Sequence, residues 1–305
     1  DRLDRASRAR IHRAGAKRMN QRRDISGPRL GLNMHPKWVE GGSPETFLFP
    51  LREVGLRVLE FPMDLLVSNR EEMDRLISAC RRLQFAVSFH APYGGRYNVA
   101  RFLGPEREDI QRLLEPVIGY AAAIACEDGP TTLVVHGAKA RGGRRAMKKA
   151  TRRFIDWLGE RWPGISPTLE LRVLEPGVVK IGDRKAELLD VVAHCRNPRV
   201  GICWDLGHDA LNGSLVAPPR FVERVTHVHV HDLSPTGEDH YPLLFGNAPY
   251  DNRLEELYRA GYSGDLILEV DGYSIVRLAR ERSISHMTIL RESLLRLAAS
   301  LSVRS

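Results

Sequence analysis

Eight short apolar runs, separated by stretches of helical periodicity, leave this chain few folds to choose from. The runs are Arg29–Met34, Arg57–Phe61, Phe85–His90, Thr131–His136, Pro167–Val173, Val200–Trp204, Thr226–His231 and Asp265–Val270. Amphipathic stretches lie between them, among them Arg70–Leu83, Pro105–Cys126, Arg144–Trp162, Arg184–Cys195 and Leu254–Gly261, and one last stretch, Ile275–Leu301, follows the eighth run. Near-continuous Val/Ile/Leu runs suit strands buried on both faces, as in a parallel sheet. Eight of them, each followed by a helix or a helix-like link, match a closed (β/α)8 barrel and its usual size. An open doubly wound sheet would want a Gly-rich phosphate turn after the first strand, and this chain has Asn33-Met-His-Pro-Lys there. The sequence therefore predicts an α/β protein, a single (β/α)8 TIM barrel over residues 30–305, with a basic N-terminal extension over residues 1–29.

The net charge of +8 belongs to that extension. Residues 1–29 hold ten Lys/Arg against three acids, whereas the rest of the chain carries 36 bases and 35 acids. The barrel is thus near neutral, and the arm reads as a solvated tail without a ligand candidate. It has no apolar segment of the kind a secretory signal needs. No window approaches the roughly 18 apolar residues of a membrane-spanning helix, so no membrane partner is expected. Cys80, Cys126, Cys195 and Cys203 form no C-x-x-C pair and read as thiols in a reducing compartment, which makes the cytoplasm the expected location.

A barrel's active site lies at the C-terminal ends of its strands, and those ends are polar here. Run three ends in His90, followed by Tyr93, and run four in His136. Run five contains Glu170 and is followed by Glu175, with the alternation of the run favouring Glu170 as the inward residue. Run six leads to Asp205 and His208; run seven carries His227, His229 and His231, then Asp232. Glu238, Asp239 and His240 lie in the next loop, and run eight contains Glu269. His227 begins its run and reads as a core histidine. Six to eight imidazoles and carboxylates on one rim repel or protonate one another unless they share a cation, and both are natural ligands of a divalent metal.

At these residues the chain resembles the xylose-isomerase-like barrel superfamily, which includes sugar isomerases and epimerases and the second family of apurinic/apyrimidinic endonucleases. The resemblance rests on Ser88-Phe-His90-Ala-Pro-Tyr93, Val134-Val-His136-Gly, Leu169-Glu170-Leu, Gly201-Ile-Cys-Trp-Asp205-Leu-Gly-His208, His229-Val-His-Asp232, Asp239-His240 and Leu268-Glu269-Val. By that resemblance Glu170, Asp205, His229 and Glu269 hold one divalent ion in the isomerases, and the two glutamates move protons. The endonuclease pattern implies three zinc ions, one on His90, His136 and Glu170, a second on the central four, and a third on His208, His240 and an acid, for which Glu238 stands at the matching position. His231 is then either a residue behind the ligands or a substrate contact beside them. The chain departs from the family in having Leu244-Phe-Gly-Asn-Ala-Pro-Tyr where a Gly-Glu-Gly turn is usual, and Gly94-Gly95 where a DNA-wedging side chain would stand.

Two functions follow from this. The first is metal-assisted phosphoester or phosphodiester hydrolysis with zinc. The extra histidines motivate it, as do eight bases without an acid between Lys139 and Arg153, of which Lys139 and Arg141 are placed to meet a phosphate. The second is a sugar or sugar-phosphate isomerase or epimerase with one Mn, Co or Mg ion and Glu170 and Glu269 as acid and base. The expected partner is a small phosphorylated or sugar substrate, with nucleic acid the weaker expectation.

Overall fold

The computed structural model describes residues 27–39, 42–140, 143–213 and 216–302. Most of the basic arm, residues 1–26, and Arg141 lie outside the described residues. Eight parallel strands close on themselves: β1 Arg29–Asn33, β2 Val58–Pro62, β3 Ala86–His90, β4 Thr131–Val135, β5 Ile165–Glu170, β6 Gly201–Asp205, β7 Val225–Val230 and β8 Asp265–Leu268. Sequential neighbours pair all the way round, and β1 pairs with β8 to complete the ring. Each predicted run supplies one strand.

The alternation of side chains along a strand explains what each face does. In β7, Val228 and Val230 join the hydrophobic core beneath the outer helices, while His227 and His229 take the other parity, with His231 following them. The outer layer is α1 Pro44–Glu53, α2 Met63–Ser68, α3 Arg70–Arg82, α4 Arg107–Asp128, α5 Arg144–Arg161, α6 Lys185–Ala193, α7 Leu206–Leu211, α8 Asp251–Arg259, α9 Gly272–Glu281 and α10 His286–Ser302. α5 shows why such segments are helical and where they dock. Ala150, Phe154, Ile155 and Leu158 recur at helical spacing and are buried, and the charged residues take the remaining face. Burying each large apolar side chain contributes about 1.5–3 kcal/mol.

Two features differ from the sequence reading. The segment after the eighth strand is not one helix: α9 stops at Glu281, Ser283 adopts a left-handed φ of 52°, and α10 begins at His286. Periodicity alone does not register such a break, because Arg280, Glu281, Arg282 and Ser283 contain neither Gly nor Pro. The basic stretch beyond β4 is also less free than its composition suggests. Arg144 bridges Asp183 and Glu187 at 2.7 Å each, and Lys148 and Arg152 both reach Asp190, at 2.8 and 2.9 Å. Alternate bases of α5 therefore tie it to α6, while Arg145, Lys149 and Arg153 stay exposed.

Candidate metal centre

Strand register brings the polar residues to one level. Asp205 of β6 stands beside His229 of β7, and His229 beside Ile267 of β8, so Glu269 lies just above. Glu170 is the last residue of β5, beside Cys203. One ligand atom from each of Glu170, Asp205, His229 and Glu269 lies within 4.8 Å of every other. His229 Nδ1 is 2.8 Å from Glu269 Oε2 and 3.9 Å from Asp205 Oδ2. All three of these atoms are buried without a hydrogen-bond partner. Orphaned acceptors this close would cost several kcal/mol unless a cation sat among them. Carboxylate and imidazole are the donor set of a divalent ion, so the four residues fit one. Burial alone would raise both glutamates. The charge of Arg172 beside Glu170, and those of His229 and His240 beside Glu269, override it and hold both carboxylates well below the usual range.

A second convergence lies towards β3 and β4. His90, His136 and Glu170 place one ligand atom each within 4.8 Å of one another. His90 Nδ1 is 3.0 Å from the Ala91 carbonyl, which can only accept, so the ring hydrogen sits there and Nε2 faces Glu170 Oε2 at 3.1 Å. His136 Nε2 is 2.7 Å from the same oxygen. The Arg172 guanidinium, which sequence reasoning missed, reaches this group. Its Nη1 donates to His136 Nε2 at 2.9 Å and to Glu170 Oε1 at 2.6 Å. Burial, followed by the Arg172 charge, pushes the His136 pKa down to about 3, so this imidazole is neutral.

A third group collects Asp205, His208, His231 and His240. His231 Nδ1 meets both the backbone N–H of His240, at 3.0 Å, and the Asp232 carbonyl, at 3.1 Å, and its Nε2 lies 3.1 Å from Asp205 Oδ1. His208 Nδ1 is 3.0 Å from the Leu171 carbonyl and 2.9 Å from Asp205 Oδ2, and its Nε2 is turned toward Asp239. The acid beside this group is Asp239, not the expected Glu238. Asp239 lies 3.2 Å from His240 and 3.7 Å from His208. The tight turn at Ser234–Glu238 swings the Glu238 carboxylate outward, where it accepts from the Tyr241 hydroxyl at 3.0 Å and lies 3.5 Å from Arg277. Burial opposes protonation of His240, but Glu269 and Asp239 outweigh it and raise its pKa to about 10.

The remaining sequence candidates sit further out. Tyr93 is half-exposed, with its ring centre 3.9 Å from that of His136 and 5.6 Å from the Arg172 guanidinium. Lys139 occupies a two-residue strand, Lys139–Ala140, paired with Val179–Lys180, and its ammonium is 2.9 Å from Glu175. Glu175 is an exposed partner of Lys139 and Lys180 and belongs to none of the ligand groups, whereas Glu170 belongs to two.

A family model described as xylose isomerase-like TIM barrel matches residues 50–297. The chain belongs to that family. Among solved structures, this xylose isomerase-like barrel is similar to a D-tagatose 3-epimerase-like protein, with a TM-score of 0.61, 22% identity, and 87% of this chain and 99% of that one covered. A D-allulose 3-epimerase from Methylomonas sp. in complex with D-allulose gives a TM-score of 0.65 at 17% identity, covering 90% and 97%. A 3-keto-D-glucoside 4-epimerase from E. coli gives 0.62 at 18%, covering 88% and 99%. These likenesses establish the shared fold. An uncharacterized protein of Methanocaldococcus jannaschii is 30% identical over 96 residues, 29% of this chain and 32% of that protein, so the match spans about a third of the curated relative. Among the described residues, no helix is long and apolar enough to cross a membrane.

Beneath the central group the xylose isomerase-like barrel holds a further buried set that sequence reasoning did not single out. Glu60, in the middle of β2, receives a hydrogen bond from His227 Nε2 at 2.8 Å and lies 3.0 Å from His229 Nε2. All three residues are buried. A lone glutamate inside the apolar run Val58-Leu-Glu-Phe was the available signal. Above the site, the loop that replaces the family's usual turn is built on Asp232. This carboxylate accepts five backbone N–H groups, from Leu233, Phe245, Gly246, Asn247 and Ala248. Gly207 is needed where α7 crosses His231, because a Cβ there would meet the ring at 2.0 Å.

Proposed function

We propose that this protein is a one-metal epimerase or isomerase of a neutral sugar, acting through the second of the two chemistries set out from the sequence. The observation that carries the reading is the central group, in which two glutamates, on β5 and just beyond β8, flank Asp205 and His229. Three solved structures of the same fold, by name a 3-epimerase-like protein, a 3-epimerase and a 4-epimerase, support this reading over hydrolysis. None of the three names a phosphoesterase, and the preference for phosphoester cleavage is withdrawn.

Charge supports a neutral substrate. Glu170, Asp205 and Glu269 bring three negative charges to the centre, and one divalent ion with the Arg172 guanidinium would balance them. Asp239 is matched at the rim by the raised His240. A bound divalent ion, with Zn, Mn, Co and Mg all compatible with the donors, supplies Lewis acidity to the substrate's oxygens. Glu170 and Glu269 do the proton work: one, as carboxylate, takes the hydrogen from the carbon beside the carbonyl and becomes the acid, and the other, having first taken a proton from water, returns it on the opposite face and is left as carboxylate. His208 Nε2 and the Tyr93 hydroxyl offer hydrogen bonds to substrate hydroxyls, and Tyr93 covers the His90–His136 side against water.

The test is proton exchange at carbon. Protein loaded with Mn or Co, incubated with ketoses in deuterated water, incorporates deuterium beside the carbonyl and forms the epimer, read by NMR. Glu170→Gln and Glu269→Gln each lower that rate by at least about 100-fold, the lower end of what a positioned acid or base contributes. Cleavage of a bis-aryl phosphate with no deuterium entering any ketose would sink the reading.

A further inference from the structure

We infer that Arg172 is a built-in cation that takes the place of a second metal ion in the His90–His136–Glu170 group, so that this group is a latent metal site closed by a guanidinium. Three acceptors meet there: His90 Nε2 and His136 Nε2 lie 3.1 and 2.7 Å from Glu170 Oε2. Ligands about 2.0–2.1 Å from a zinc ion stand roughly 3 Å apart, so the spacing is that of a coordination shell. The group is nevertheless not waiting for an ion. Arg172 Nη1 is 2.9 Å from His136 Nε2 and 2.6 Å from Glu170 Oε1. A guanidinium only donates, so the Nε2 lone pair of His136 is already engaged and cannot be given to a metal at the same time.

The arginine is held in that position from several sides. Its backbone N–H donates to Gly182 at 2.8 Å, and its carbonyl accepts from the Asn212 side chain at 2.9 Å. Its guanidinium lies 5.6 Å from the Tyr93 ring centre. Gly182 in turn has a φ of 116°, and a Cβ there would meet the Glu170 carbonyl at 2.5 Å, so the chain passes close behind the arginine. A divalent ion entering the group would face a fixed positive charge that does not deprotonate. Electrostatically the guanidinium does one thing a second ion would do, namely neutralise Glu170. It differs from an ion in offering no open coordination position for a water molecule. A cluster of this composition would otherwise suit hydrolysis with several metals, and Arg172 restricts it to one. The inference rests on the one-ion reading of the central group.

Metal stoichiometry tests it. Protein loaded with Mn and freed of excess ion is expected to hold one ion per chain by elemental analysis, and His136→Ala is expected to leave that number unchanged. Arg172→Met removes the charge at similar length and is expected to raise the content to two, with the spin-coupled signal of a manganese pair in electron paramagnetic resonance. Arg172→Met/His136→Ala is expected to return it to one. An ion in the unsubstituted protein that disappears with His136→Ala overturns the inference. So does a folded Arg172→Met protein that holds no ion dependent on His136. If Arg172→Met fails to fold, the His136→Ala comparison still decides, since it leaves the arginine in place. Absence of any ion from the unsubstituted protein would defeat the one-ion reading, whereas a His136-dependent ion defeats only the role given to Arg172.

Discussion

At the scale of single residues, the centre is organised by which nitrogen of each histidine carries the hydrogen. Carbonyls fix it for His90 and His208. In His229, Nε2 lies 3.0 Å from Glu60 Oε1, while Nδ1 points at Glu269 and Asp205. Carboxylate–histidine pairs of this kind orient a ligand and raise its basicity, and losing the outer partner typically costs 10–100-fold in metal affinity. Glu60→Gln, which keeps the shape, is therefore expected to weaken binding of the central ion about 10-fold or more, measured by competition with a chelator. Unchanged affinity would reduce Glu60 to a space-filling partner of His227. Glu60 and Arg172 are the two residues the sequence did not yield. Glu60 sits inside a run read for its apolar neighbours. Arg172 follows Glu170 by two positions, but only the turn of the chain after β5 brings its guanidinium back across His136. The rim residues were legible for the opposite reason, since each stands at or just past the end of a run. Glu238 misled because spacing along a loop does not say which of two adjacent acids turns inward.

At the scale of elements, the strands were legible because burial on both faces leaves an unbroken apolar stretch, and each begins within two residues of its run. Helices were legible in position but not in extent, as the break at Ser283 shows. What composition could not reveal is how charged helices share their charges. Arg144 grips Asp183 through both terminal nitrogens, at 2.7 and 2.9 Å, and Asp183 is buried. The two bonds are charge-assisted and sheltered, so Asp183→Asn is expected to destabilise the fold by about 2 kcal/mol. Urea denaturation reads this directly, and a loss under about 0.5 kcal/mol would assign the pair to the ordinary run of surface ion pairs.

At the scale of the whole molecule, closure of the barrel depends on its first strand. Arg29 bonds Asp265 at 2.7 Å through its side chain and lies in register with it on the neighbouring strand. The ligand groups described draw their members from Glu60 onward. A chain starting at Gly27 is therefore expected to keep its metal content and melt within about 2 °C of the longer one. A chain starting at Leu30 loses the Arg29 contacts and is expected to melt lower. A fall of many degrees on removing residues 1–26 alone would show that the arm packs against the barrel.

The five amides gathered on Asp232 bear on how a ligand comes and goes. Four of them, from Phe245 to Ala248, fasten the loop on the β7 side of the mouth to one buried carboxylate, and opening that loop would break all four bonds together. That side is a wall rather than a door. On the opposite rim, between β3 and β4, no such fastening stands over the half-exposed ring of Tyr93 among the described residues, and that ring lies against His136. Tyr93 is followed there by two glycines with positive φ, Gly94 and Gly95, a backbone that side chains larger than glycine rarely adopt.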